Sequence, residues 1–129
     1  MRHTFCAIAL LAMACTAHPA FGQELDINAV MKCAGDAKAK QSADACVAAR
    51  GLFMQHCTSC HSFVPVVRQQ KDEAGWGALM AGHRQRAADI ADPDYEAIGQ
   101  FLKDHFTPDR PVPDLPQHLI DNDPGFPPA

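Results

Sequence analysis

Residues 50–61 read Arg50-Gly51-Leu52-Phe53-Met54-Gln55-His56-Cys57-Thr58-Ser59-Cys60-His61. The last five carry the reading. Two thiols separated by two residues and followed at once by an imidazole have the spacing that attaches a c-type haem. The chemistry requires this order. Cys57 and Cys60 can each form a thioether to a vinyl group of one porphyrin edge, and the adjacent His61 then offers a ring nitrogen to the iron as proximal ligand. Its other ring nitrogen is expected to donate to a carbonyl oxygen, which holds the tautomer and the ring orientation. Two further chemistries use the same residue types. A redox-active dithiol also has Cys-x-x-Cys, but in a βαβ frame with the motif at a helix start. Here the motif closes a helical pattern and no strand pattern flanks it. A structural zinc site needs a second ligand pair at metal spacing, and Cys33 and Cys46 stand 13 apart. Haem comes first, with dithiol and zinc behind it.

Outward from the motif, the pattern is all-α, with three or four helices around one covalently attached haem and no clear strand. Ser42 is a good N-cap for a helix running to about Cys57, and Cys46, Ala49, Phe53 and Cys57 share one of its faces. Upstream, Asp26 is a plausible cap for a helix from Leu25 to about Ala39, weakened by Gly35. Ser62 to Gln70 reads as a loop interrupted by Pro65. Asp72 can cap a helix from Glu73 to about Ala88, and Asp92 or Asp94 can cap a last helix ending near Phe106. Tyr95, Ile98, Phe101, Leu102 and His105 form a single stripe on that last helix.

The chain has 129 residues, of which 47% are hydrophobic and 20% charged. That is one folded domain's worth. Lys+Arg is 11 against Asp+Glu 15, a formal charge of −4, which argues against nucleic acid as a partner because phosphate binding wants a basic face. Residues 1–22 read as a signal peptide: a weakly basic start, 13 mostly apolar residues from Phe5 to Ala17, then small residues before Gln23. A retained anchor helix and a lipoprotein acylated at Cys15 are the alternatives. Cleavage leaves 10 basic and 15 acidic residues, a formal −5, and four cysteines. The product is expected to be periplasmic with no membrane-spanning segment. In an oxidising compartment Cys33 and Cys46 are expected to pair as a disulfide. Residues 23–106 form the expected haem domain. Seven of the 10 prolines fall within residues 107–129, so this segment is expected to be an extended tail, loosely attached or wrapped over the domain or a partner.

The segment from Arg50 to His61 resembles the entry of class I c-type cytochromes. In that family a helix with a Phe one turn before the first Cys packs on the C-terminal helix. The resemblance covers about residues 42–106 and implies that Phe53 packs on the Ile98, Phe101 and Leu102 stripe. It weakens after His61, where there is no Gly-Pro pair and no loop Met in a Pro-flanked setting.

For the sixth iron ligand, Trp76, Met80 and His83 lie on one helical face. The pattern leaves a thioether, an imidazole and an iron without a protein ligand all open. The Gly75-Trp76…His83 segment is similar to the haem domains of quinohaemoprotein amine dehydrogenases, in which a Trp precedes a ligand, typically Met, by seven residues. That resemblance puts His83 at the ligand position; among the residues themselves Met80 is the alternative, and Trp76 reads as a haem-pocket wall whose indole N–H reaches a propionate. Arg68, Lys71, Arg84 and Arg86 are further candidates for propionate contacts.

The expected role is one-electron transfer between redox partner proteins, with the protein acting as carrier and not as enzyme. The rivals are a cytochrome subunit tethered to a periplasmic dehydrogenase, a haem-based sensor and a thiol-disulfide oxidoreductase.

Overall fold

The computed structural model describes residues 25–31, 33, 38–123 and 125. The expected signal peptide, residues 1–22, lies outside them. Among the described residues six helices follow in order: α1 Ile27–Val30, α2 Ala43–His56, α3 Val64–Arg68, α4 Glu73–His83, α5 Asp92–His105 and α6 Gln117–Asp121, with a 3₁₀ turn at Cys57–Ser59 directly after α2. The described residues contain no strand, in agreement with the all-α expectation. None of these helices is long and apolar enough to cross a membrane.

Local chemistry explains most boundaries. Ser42 accepts the Ala45 N–H at 3.2 Å, and Asp72 accepts the Gly75 N–H at 2.7 Å, so α2 and α4 start at the expected caps. Asp26 accepts the Asn28 N–H at 2.9 Å, but the first helix is described only over Ile27–Val30. It is shorter than the expected Leu25–Ala39; residues 32 and 34–37 of that span lie outside the described set.

Three further boundaries correct the sequence reading. The expected loop at Ser62 to Gln70 contains α3, because Pro65 sits in the first turn, where a missing N–H costs nothing. The fourth helix ends at His83, not near Ala88. There the Arg84 guanidinium donates to the carbonyls of Ala87 and Ile90 and pairs with Asp92, drawing the chain into turns. Neither Asp92 nor Asp94 caps α5. Ala91 occupies the cap position without a side-chain bond, Pro93 fixes the first turn, and the two carboxylates favour the helix dipole from within it.

The core forms where α2 meets α5. Cys46, Ala49 and Phe53 are buried on one helix, and Ile98, Phe101 and Leu102 on the other. The Phe53 and Phe101 rings lie 6.0 Å apart, and Phe106 meets Phe101 edge-on at 5.5 Å. Val64, Val66 and Val67 of α3, Trp76 of α4, and Val30 and Met31 at the N-terminal end extend the same cluster. Fully burying an aliphatic or aromatic side chain of this kind stabilises by about 1.5–3 kcal/mol.

Leu115 also joins this cluster, with Leu119 and Ile120 packed against it. The tail after Thr107 is therefore not simply extended. It folds back over the domain and contains α6.

Asp104 is the one buried charged residue among those described. Its Oδ2 accepts the Lys40 and Gln41 backbone N–H groups, each at 2.8 Å, and its Oδ1 accepts Gln100 Nε2 at 2.7 Å. It thus pins the approach to α2 onto α5. The pairing of Cys33 with Cys46, Cα–Cα 5.5 Å, ties the N-terminal segment to the buried face of α2.

Replacing Asp104 by Ala strands two backbone donors, so urea unfolding is expected to show a loss of about 2–4 kcal/mol. Asp104→Asn is expected to be less harmful in the same measurement, because the amide oxygen still accepts. The double change Cys33→Ser/Cys46→Ser is expected to cost about 3 kcal/mol, the loop-closure contribution of a bridge this size.

Candidate functional site

The end of α2 is shaped by its own hydroxyls. Cys57 is the C-cap residue and donates its N–H to the Phe53 carbonyl. Thr58 Oγ1 donates to the Met54 carbonyl, and Ser59 Oγ to that of His56 at 2.8 Å. These bonds satisfy carbonyls that the helix itself leaves unpaired, and they wind Cys57–Ser59 into the 3₁₀ turn. Cys57 is half-buried and Cys60 exposed, and both are unbridged. His61 follows with Nδ1 donating to the Ser62 carbonyl at 2.8 Å. A carbonyl only accepts, so Nδ1 carries the proton and the ring lone pair lies on Nε2. The acceptor that the sequence could not identify is the next residue's backbone.

Cys57 is ill suited to dithiol redox work. Burial, and then the charge of Cys60, push its thiol up to about 11. Reactive dithiols need the opposite shift, which a helix N-terminus supplies. Cys57 sits at the C-terminal, electronegative end of α2. As for zinc, no group of three or more His, Cys, Asp or Glu side chains among the described residues is arranged to hold a metal ion. A haem iron asks less of the protein, one or two axial side chains.

The proposed ligand helix approaches this end of α2 through α5. Met80 packs across Gly99 of α5, where an added Cβ would meet its Cγ and Cε at 3.6 Å. The Tyr95 hydroxyl of α5 donates to the Met80 carbonyl. Its pKa is raised by burial first and then by Cys57, while Arg84 opposes the shift. His83 lies one turn beyond Leu79, and its Nδ1 donates to the Leu79 carbonyl at 2.9 Å. Like His61, it has its lone pair on Nε2. The described residues thus include two unbridged thiols at attachment spacing and two imidazoles whose Nδ1 is held by a backbone carbonyl, the donor types a c-type haem would use.

Two expected roles are revised. Trp76 is wholly buried, but its indole N–H donates to the Phe106 carbonyl at 2.7 Å, not outward to a propionate. The same carbonyl accepts the Lys71 N–H at 3.2 Å, so Trp76 fastens α4 to the end of α5. Arg84 is likewise committed, stacked 4.7 Å from the Tyr95 ring centroid and bonded within the turn before α5. Met80 serves the contact between α4 and α5.

Tyr95 and Ser62 were not legible as site residues. Tyr95 read as part of an apolar stripe, and the Ser62 contribution is a backbone carbonyl, which leaves no mark in a sequence. No known protein family, curated protein or solved structure matches this chain.

In the haem-free chain, Cys57 becomes thiolate only as pH rises towards about 11. Iodoacetamide labelling mapped by mass spectrometry near neutral pH is therefore expected to modify the exposed Cys60 well before Cys57. Equal labelling would contradict the raised Cys57 thiol.

Proposed function

We propose that this chain is an exported electron carrier whose Cys57 and Cys60 would hold one c-type haem, with His61 and His83 as the residues that would ligate its iron. The observation that carries the reading is the pair of unbridged thiols at the end of α2, followed by an imidazole whose Nδ1 proton is held by the Ser62 carbonyl. When bound, the haem supplies a one-electron iron couple.

The chain's own residues hold and orient it. The Ser62 and Leu79 carbonyls hold the His61 and His83 rings through their Nδ1 protons. His83 is favoured over Met80 because the Met80 side chain is packed at Gly99 while the His83 ring is already in the ligating tautomer. Two imidazoles favour a lower potential than an imidazole with a thioether. The leader-like residues 1–22 and the Cys33–Cys46 bridge support export to the periplasm, where disulfides persist. The partners are redox proteins, a donor and an acceptor. The excess of acidic residues is suited to a basic docking face.

The test is a reduced-minus-oxidised visible spectrum of the chain expressed with a c-type haem attachment system. A c-type α band is expected, without the near-infrared band of Met–iron(III) ligation. His83→Ala should shift the Soret band and let the ferrous iron bind carbon monoxide. Cys57→Ala/Cys60→Ala should release the haem on denaturation. A colourless wild-type chain would overturn the reading, and a spectrum unmoved by His83→Ala would remove His83 as ligand.

A further inference from the structure

The His61 loop is held from a part of the chain that the haem reading does not use. Ser62 Oγ donates to Asp123 Oδ1 at 2.7 Å, across 61 residues of sequence. The same hydroxyl accepts the Val64 N–H at 3.2 Å. A serine hydroxyl has one proton and two lone pairs, so these two bonds use its donor and one acceptor position and fix its rotamer. The backbone carbonyl of this same Ser62 accepts the Nδ1 proton of His61.

Asp123 is itself well placed. Its N–H donates to the Ile120 carbonyl at 3.3 Å, and the Asn122 N–H to that of His118 at 3.2 Å, at the end of α6. Leu115 is buried, and Leu119 and Ile120 pack on the core. The proline-rich stretch before them has few backbone donors and limited φ freedom, so folding it back costs less entropy than ordering a flexible segment. The carboxylate is thus delivered to the loop after His61 by an apolar anchor. A carboxylate acceptor makes this bond stronger than one between neutral groups.

We propose that the proline-rich tail is a clamp on the His61 loop, in which Asp123 fixes Ser62 and Ser62 fixes the His61 imidazole for ligation. Asp123 is a positioning residue that acts through Ser62. Its purpose rests on the electron-carrier reading, but its geometry does not. The tail is then an intramolecular part of the site and not a tether for a partner.

The test uses the full chain as isolated, with whatever it carries, and follows the His61 ring by proton–nitrogen NMR. Asp123→Ala is expected to speed exchange of the His61 Nδ1 proton about tenfold, the factor that one hydrogen bond to a charged acceptor provides. Asp123→Asn should fall between wild type and Asp123→Ala, because its amide oxygen still accepts from Ser62 but without the carboxylate's charge. Ser62→Ala should match Asp123→Ala, and the double variant should be no worse than Ser62→Ala, since the two residues act in series. In the haem-loaded chain Asp123→Ala should also shift the reduction potential, and further than Asp123→Asn, which loses the same charge but keeps an acceptor for Ser62.

A His61 signal unmoved by Asp123→Ala overturns the clamp, as does full additivity of the two single changes. A chain that takes up no haem but shows the His61 response refutes the electron-carrier reading and upholds the clamp.

Discussion

The contact on which the rest depends is the burial of Phe53 and its neighbours on α2 against Ile98, Phe101 and Leu102 on α5. It is the central apolar contact of the domain. Cys57 caps α2 directly after this contact. Cys46 lies on the same buried face, and its bridge to Cys33 draws the N-terminal segment onto that contact. His105, in the last turn of α5, brings Nε2 within 3.1 Å of the Cys46 sulfur.

Around this apolar contact the connections are organised by side chains that satisfy backbone groups. Asp104 takes two N–H groups from the segment before α2, Trp76 donates to the Phe106 carbonyl, and Arg84 donates to the carbonyls of the turn before α5. Each does what a neighbouring turn of helix would otherwise do, and a buried backbone group left without a partner is costly. The exposed ion pairs Lys38–Asp109 and Lys40–Glu73 contribute far less, because water and salt screen them.

His61 and His83 follow the same logic. Each has its Nδ1 proton held by a carbonyl from its own stretch of chain, one residue on for His61 and four residues back for His83. Local backbone therefore sets both tautomers. What differs is the support behind the acceptor. Leu79 is held within a continuous helix, whereas Ser62 lies between the 3₁₀ turn and α3 and is held by a side chain from the tail. A loop carbonyl needs that outside support because no helical ladder fixes its direction.

The sequence by itself determined what depends on short spacing. The Cys57-x-x-Cys60-His61 order, the buried stripe of α5, the caps Ser42 and Asp72 and the pairing of Cys33 with Cys46 were all legible, because each is set by periodicity, by a side chain near its own backbone or by cysteine arithmetic. Tertiary structure alone decided the commitments made across distance. Trp76 and Arg84 look like residues available to a cofactor until Phe106, Ile90 and Asp92 are seen to occupy them. The tail looks extended by composition until Leu115 is buried and Asp123 meets Ser62. The physical reason is that every residue presents a carbonyl, so sequence cannot say which one a distant donor will find. Only the folded packing brings those segments close enough to choose.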